Sequence, residues 1–288
     1  MKKTLIILSI CIMTSVTGCN SHNNQNFSTK SDLELNNLQG AVKTVIIEET
    51  QPPIGDVVYD TTKTIYHYNE QGMIIRKETN DEIIDYRYNK NRQLVEKKAT
   101  LLWTENRINV IETYQYDSQG FLIKTNSSDG ITLRHENIVE NGKLKKTLTY
   151  STLDKLATMV EYNYNEDCTE KIIQEYWTGG EIDTIIVRCD KVIANISHQG
   201  NSTQYEYNTN NELIVETLKI KAFETPFDSS DAKTHTFHYE YSDYDQYGNW
   251  TKRGKKYIDS VNKSVEYNDE DNKEQELDEI TVRTIIYR

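Results

Sequence analysis

The chain has 288 residues, with 45 acidic and 33 basic side chains and a formal net charge of −12. A surface this acidic repels the phosphates of nucleic acids and of anionic lipids, which excludes nucleic acid as a partner. Twenty tyrosines and only three prolines, together with many Val, Ile and Thr residues, favour strands over helices. The composition therefore predicts an all-β protein, long enough for one large domain or two small ones.

The first eighteen residues have the features of a cleaved targeting segment. Two lysines precede a short apolar run, residues 4–16, and residues 16–19 are Val-Thr-Gly-Cys. This quartet resembles the lipobox of bacterial lipoproteins, which implies that 1–18 is a signal peptide and that Cys19 carries lipid. A multiply acylated cysteine anchors stably, because each buried methylene contributes about 0.8 kcal/mol. The alternative is an ordinary secretory signal with an incidental cysteine.

Residues 19–37 are polar and of low complexity, so we expect a lipid-anchored flexible tether, with one short helical turn within 32–37. The lipoprotein resemblance also bears on location. Asn20 is not the aspartate typical of inner-membrane retention, and no acidic run like a surface-export signal follows it. We therefore predict an outer-membrane lipoprotein, with a periplasm-facing orientation favoured over surface exposure.

A repeated phrase, Tyr-x-Tyr-Asn/Asp-x-x-Gly followed by a large apolar residue, organises the rest of the chain. It occurs at residues 66–72 and 114–120, and in altered form elsewhere. Asn or Asp can bond its side chain to backbone two residues on, and glycine accepts the positive φ that closes a tight hairpin. The phrase therefore predicts a strand, a turn and a returning strand. Turns are expected at Gly72, Arg92, Gly120, Gly142, Cys168, Asn211 and Gly248. A degenerate copy of the phrase predicts one more turn near Cys189.

The phrase resembles the YD repeat of Rhs-type proteins, and residues 244–253 carry the closest copy. Residues 38–45 also resemble the first strand of small bacterial lipoproteins that contain such repeats. This resemblance implies that residues 38–288 form one YD-repeat-like β domain, an antiparallel meander of repeated hairpins. We expect about 14 to 16 strands in a curled open sheet or an incompletely closed barrel. Toxin delivery is not implied, because the sequence shows no toxin-like tail and no self-cleavage motif.

Two cysteines, Cys168 and Cys189, fall in the predicted domain. If Gly179 and Gly180 formed a two-residue hairpin, Cys189 would face Glu170, and the two cysteines would be diagonal neighbours on adjacent strands. Such neighbours are about 7–8 Å apart at Cα, slightly too far for a disulfide without a shift of register. An oxidising envelope would favour the bond. A Cys168–Cys189 disulfide and two inert thiols therefore both stay open.

Exposed aromatic side chains are the candidates for ligand binding, because their rings can stack on sugars or grip a peptide. Packing within the sheet accounts for most of the rings. One tryptophan lies in a segment without repeats, another lies at a turn, and a proline-containing loop holds two phenylalanines. The predicted ligand-binding residues are Trp103, Trp177, Phe223 and Phe227.

No residue pattern selects a catalytic group, a metal site or a cofactor. His235 and His238 are three residues apart, which places them on opposite faces of a strand and argues against a shared metal. Residues 243–248 lack the ligand pattern of a calcium loop. The sequence contains no nucleophile-elbow, zinc-protease or phosphate-loop motif.

The sequence thus predicts a non-enzymatic, lipid-anchored envelope protein that binds or scaffolds a polysaccharide or an envelope protein. One alternative is a glycan hydrolase whose carboxylates come from several strands. Another is a carrier that holds an apolar ligand inside the curl of the sheet. Two carboxylates about 5–10 Å apart would favour the hydrolase, exposed aromatic rings would favour binding, and a continuous apolar cavity would favour the carrier.

Overall fold

The computed structural model describes residues 30–50, 61–102, 108–164, 169–177, 180–225, 228–230, 232–259 and 279–288. One short helix, α1 (Asp32–Leu35), precedes the strands. In this part of the chain no helix is long and apolar enough to cross a membrane. The strands are β1 (Val42–Thr50), β2 (Thr62–Tyr68), β3 (Ile74–Glu78), β4 (Glu82–Tyr88), β5 (Leu94–Leu101), β6 (Asn109–Tyr116), β7 (Leu122–Ser127), β8 (Thr132–Glu140), β9 (Lys143–Tyr150), β10 (Leu156–Tyr164), β11 (Thr169–Tyr176), β12 (Ile182–Arg188), β13 (Lys191–Ile196), β14 (Ser202–Tyr207), β15 (Leu213–Ile220), β16 (Phe223–Thr225), β17 (Asp228–Ser230), β18 (Lys233–Tyr244), β19 (Trp250–Asp259) and β20 (Glu279–Tyr287).

Eighteen of these strands form one antiparallel sheet that closes on itself. Each strand pairs with the next along the chain, except that β15 pairs with β18 and the short β16–β17 hairpin stands apart. The last strand pairs with both β19 and β1, so that Ile285 lies opposite Val45. The predicted antiparallel meander of hairpins is confirmed. The expected open or incompletely closed sheet is corrected to a closed barrel, and the expected strand number was too low.

The turns at the two ends of the barrel differ in chemistry, because successive antiparallel strands place alternate connections at opposite ends. At one end, here called the Asx end, an Asn or Asp side chain accepts hydrogen bonds from the backbone two and four residues on. Asn69, for example, accepts from the N–H groups of Gln71 and Met73, both at 3.0 Å. The same pattern recurs at Asn89, Asp117, Asn208 and Asp245.

Positive φ angles occur where the phrase predicts them. Gly72 has φ 78°, and Arg92 adopts 63° at the equivalent place despite its Cβ. Turns also occur at the predicted Gly142 and at Cys189, whereas Cys168 lies outside the described residues. At the other end, here called the far end, turns begin at residues that the phrase does not signal: Ser127, Ser151, Trp177 and Ser197.

Tyrosine hydroxyls tie five hairpins to the preceding ones, four through the second tyrosine of the phrase and one through Tyr241, which lies three residues before Tyr244. Each hydroxyl donates to the backbone carbonyl of a residue at the start of the neighbouring strand, at 2.8 to 2.9 Å. Burial raises the pKa of Tyr116 and of Tyr207 to about 12, so these hydroxyls remain donors at neutral pH. This tyrosine ladder consists of the pairs Tyr88–Ile74, Tyr116–Leu94, Tyr164–Leu144, Tyr207–Val192 and Tyr241–Leu213.

The main hydrophobic core lies near the Asx end and includes the segment that precedes β1. Leu38 is buried there with Val42, Val45, Tyr68 and other apolar residues. Helix α1 starts with a capping box between Ser31 and Glu34, and Leu33 N–H donates to the Gly72 carbonyl at 3.1 Å.

Part of the predicted tether is therefore folded structure. Residues 30–37, which we assigned to the tether, pack against the Asx end, and the expected helical turn is α1. Residues 1–29, which contain the predicted signal peptide and Cys19, lie outside the described residues.

Candidate functional site

The buried face of the sheet lines the lumen of the barrel, because a closed sheet has one inner face. This face carries charged side chains as well as apolar ones. Ion pairs cross between neighbouring strands: Lys77–Glu82 at 3.1 Å, Lys97–Glu112 at 3.4 Å and Lys255–Glu216 at 3.5 Å. These charged side chains do not favour a carrier of an apolar ligand, which would need a continuous apolar cavity.

The outer face of the barrel is also charged along the strands. Cross-strand ion pairs stand on this face, at N–O distances of 2.7 to 3.1 Å. They are Lys63–Glu48, Arg76–Asp85, Arg87–Glu96 and Lys146–Glu161.

The structure places one of the four predicted ligand-binding aromatics on the surface. Trp177 directly follows β11 at the far end and is 48% exposed. Phe223 is the first residue of β16, also on a far-end connection, and the position of its side chain is not described. Trp103 and Phe227 lie outside the described residues.

Trp177 belongs to a hydrogen-bonded group that we call the rim cluster: Trp177, Asp183 and His198. The indole N–H donates to Asp183 Oδ2 at 2.9 Å. The backbone N–H of His198 donates to Asp183 Oδ1 at 2.6 Å, and the imidazole Nδ1 lies 2.9 Å from the same oxygen. The indole and imidazole rings are 6.4 Å apart and tilted by 54°. Two far-end turns and the first part of β12 thus hold an exposed ring beside fixed polar groups.

A second carboxylate stands beside this cluster. Glu175 lies directly opposite Asp183 in the β11–β12 pair, so both side chains are on one face. Burial, and then the charge of Asp183, raises the pKa of Glu175. Burial alone would raise the pKa of Asp183 as well, but the bonds from His198 and Trp177 outweigh it and lower that pKa. The two neighbouring carboxylates therefore have opposite pKa shifts.

The turn between these strands corrects the register expected for the cysteines. Trp177 N–H donates to Glu181 O, Gly180 N–H donates to Trp177 O, and Gly180 has φ 88°. The turn is wider than the expected Gly-Gly hairpin, so Glu170 faces Arg188 instead of Cys189. Cys189 is disulfide-bonded. Because Cys168 lies outside the described residues, its pairing with Cys189 stays a prediction.

Sequence reasoning singled out Trp177 but not its neighbours Asp183 and His198. Asp183 is the second residue of β12 and His198 lies in the next far-end turn, fifteen residues later. Neither stands in the repeated phrase. Only the register of β11 with β12 and the position of the Ser197 turn bring them to the indole.

Fold and site together define a closed antiparallel β-barrel of repeated Tyr-Asx hairpins with an aromatic and acidic cluster at one rim. No family model matches the chain, and no curated protein matches it.

Three of the similar solved structures show how distant the similarity is. In the TcdB2–TccC3–Cdc42 complex, the match is 13% identical with a TM-score of 0.25 and covers 73% of this chain and 14% of that chain. In the Photorhabdus luminescens Tc holotoxin pore, the match is 12% identical with a TM-score of 0.24 and covers 73% of this chain and 14% of that chain. A porin-like protein from Bacteroides uniformis is 10% identical, with a TM-score of 0.39 over 68% of this chain and 94% of that one. The chain thus spans a small part of the toxin components it matches, and similarity at this level carries no information on function.

Proposed function

We propose that this protein is a lipid-anchored envelope protein that binds polysaccharide without transforming it, and that the rim cluster is its contact site. The observation that supports this proposal is the exposed Trp177 ring, held by Asp183 next to His198. An aromatic face stacks on the apolar face of a sugar ring, while neighbouring carboxylate and imidazole groups take its hydroxyls. Both polar side chains remain partly accessible for this purpose, since His198 is 34% and Asp183 20% exposed.

The position of the predicted anchor supports this assignment. The segment before β1 packs at the Asx end, where Leu33 contacts Gly72 and Leu38 is buried. A lipid on Cys19 would therefore attach the barrel by its Asx end. The rim cluster, at the far end, would then face away from the membrane that holds the protein.

The charged outer face supports a barrel that stands outside the bilayer. A charged side chain facing lipid at mid-membrane costs about 2–4 kcal/mol for Arg or Lys. Ion pairs such as Arg76–Asp85 and Lys146–Glu161 lie on strands around this face. An outer-membrane location would thus come from the lipid anchor rather than from the strands. Membrane attachment of the wild type and release of a Cys19→Ser variant would test the anchor.

A glycan-binding assay tests the proposed function. The full chain, purified in mild detergent, is applied to an array of envelope and dietary polysaccharides, and the affinity for any ligand is measured by calorimetry. Trp177→Ala should weaken binding by about five- to tenfold, since stacking on a ring contributes on the order of 1–1.5 kcal/mol. Tyr244→Ala is the matched control, because Tyr244 is also 48% exposed but lies beside the Asx end.

Three results would count against the proposal. The first is a folded protein that retains no polysaccharide. The second is equal binding by the wild type and the Trp177→Ala variant. The third is capture of one envelope protein in place of any glycan, which would favour the scaffold role predicted as the other possibility.

A glycan hydrolase is a second candidate, favoured by the opposite pKa shifts of Glu175 and Asp183. Directly opposed cross-strand residues have Cβ atoms about 4.5–5.5 Å apart, close to the separation of carboxyl groups in retaining enzymes. Glu175 would be the acid and Asp183 the nucleophile. Binding is favoured over hydrolysis because both Asp183 oxygens already accept hydrogen bonds within the rim cluster. Release of reducing sugar by the wild type, lost in Glu175→Gln, would establish the hydrolase instead.

A further inference from the structure

A cavity of about 260 Å³ lies at the Asx end, away from the rim cluster. Strands β1, β18, β19 and β20 form its wall, and the Asn208 and Asp245 turns and the residues after α1 close around it. Three cations line it, Arg253, Arg283 and Lys191, against two carboxylates, Glu49 and Glu212. The cavity is therefore basic within a chain whose net charge is −12.

Arg283 is buried in this wall, and none of the hydrogen bonds among the described residues joins its guanidinium to a carboxylate. Only 7% of the residue is exposed, its Nε donates to the Trp250 carbonyl at 2.9 Å, and its guanidinium carbon lies 3.7 Å from the centre of the Trp250 ring. The charge of Asp245 favours the ionised form of Arg283, but among the described residues no Asp or Glu forms an ion pair with it. Burial lowers the pKa of Arg283 to about 10, so the group is still charged at neutral pH.

The other two cations of the cavity, Arg253 and Lys191, are also incompletely paired with acceptors or acids. Arg253 donates through Nη2 to Thr281 at 2.9 Å and lies 3.4 Å from Glu49, but its buried Nε has no hydrogen-bond partner among the described residues. Lys191 is half-buried, and burial lowers its pKa. None of the ion pairs between described residues includes Lys191.

Neither carboxylate of the cavity neutralises Arg283. Glu49 is shared with Arg253, and Glu212 accepts from Asn208 Nδ2 at 2.7 Å and from Tyr244 at 3.3 Å. A buried charge that no carboxylate contacts directly is costly, whereas a guanidinium fork is well matched to the two oxygens of a carboxylate. The cavity therefore has the electrostatic and geometric features of a site whose anion comes from outside the chain.

We propose that this cavity binds a carboxylate-bearing ligand of the size of one sugar acid, with Arg283 as its main anchor. Trp250 and Tyr241 provide aromatic surface, and Asn36 and Asn211 provide amide groups suited to hydroxyls. The volume exceeds what a lone inorganic anion needs. This site is separate from the rim cluster, and the inference does not depend on glycan binding at Trp177.

Calorimetry on the full chain in mild detergent tests the proposal with three probes: D-glucuronate, D-glucose and inorganic phosphate. Glucuronate should bind saturably and more weakly at high salt, because its carboxylate pairs with the arginine. Glucose, which has the same ring without the carboxylate, should bind at least about tenfold more weakly. Phosphate binding as tight as glucuronate binding would overturn the assignment to a sugar acid, and absence of saturable glucuronate binding would overturn the site.

Variants locate the binding. Arg283→Gln should weaken glucuronate binding by at least about tenfold, whereas Arg188→Gln should leave it unchanged. Arg188 is the control because it is exposed and pairs with Glu170 on the outer face. If Arg283→Gln fails to fold by circular dichroism, Lys191→Gln serves in its place, with a several-fold loss expected. Unchanged affinity in a folded variant of either residue would refute the inference.

Discussion

Removal of one hydroxyl from the tyrosine ladder should have a cost that can be calculated from the structure. Tyr116 donates to the Leu94 carbonyl at 2.8 Å, and its ring is partly buried on the lumen face. Tyr116→Phe keeps the ring and deletes the donor. A net hydrogen bond contributes about 0.5–1.5 kcal/mol, and a buried acceptor left without its partner costs about 1–3 kcal/mol. We therefore expect the free energy of unfolding to fall by about 1.5 kcal/mol.

Equilibrium unfolding in urea measures this change. With an m value of about 3 kcal/mol/M, the midpoint should fall by about 0.5 M at unchanged m. Tyr247→Phe is the matched control, because Tyr247 is 44% exposed and its hydroxyl is outside the ladder. Adding Tyr241→Phe, on a distant rung, should roughly double the loss. Equal midpoints for Tyr116→Phe and the control would refute the argument that the hydroxyls hold successive hairpins together.

Three further predictions concern other parts of the barrel. Burial lowers the pKa of His135 to about 4, so as pH falls below about 6.5 only the unfolded chain takes up this proton. Stability should therefore fall between pH 6.5 and 4 by about 2–3 kcal/mol from this group, and urea midpoints of a His135→Gln variant should lack that part of the decline. Gly72→Ala should lower the free energy of unfolding more than Gly130→Ala. Both glycines have positive φ, but a Cβ at Gly72 would lie 3.1 Å from Leu33, whereas nothing lies within 4 Å of a Cβ at Gly130. Equal losses of about 1–2 kcal/mol in urea unfolding would contradict the close contact with α1. Arg92→Gly should raise the melting temperature, since Arg92 holds φ 63° where other repeats have glycine, and a lower melting temperature would show that its side chain contributes more than its backbone costs.

The sequence was sufficient for features that depend on a few adjacent residues. An Asn or Asp that closes its own turn, followed by a residue able to take positive φ, is local chemistry, and it located the turns at Gly72, Gly120, Asn211 and Gly248. Sequence reasoning did not locate the turns that lack this phrase. The far-end turns that begin at Ser127, Ser151 and Ser197 were not located by any such signal.

Closure of the barrel was not predictable in this way. Pairing of β1 with β20 joins residues such as Val45 and Ile285, which are separated by almost the whole domain. Whether two such edges meet depends on the twist summed over every strand between them. No short segment contains that information, so the sequence left an open and a partly closed sheet as alternatives.

The candidate sites show the same limit. Trp177 could be recognised as an aromatic residue at a turn, but its neighbours could not. Asp183 reaches the indole because the turn after β11 is one residue wider than a Gly-Gly hairpin. Arg283 faces the cavity only because β20 is inserted between β19 and β1. In both places the chemistry follows from register, which is a property of paired strands and not of either strand alone.

The joining of first and last strands has a consequence for how the protein is made. Synthesis delivers β1 well before the nine residues of β20, so the growing chain carries two unpaired edges until β20 has been made. Unpaired edges recruit other strands, and a nascent chain in this condition is prone to misassembly. Deletion of β20 should thus yield aggregates rather than a slightly smaller barrel.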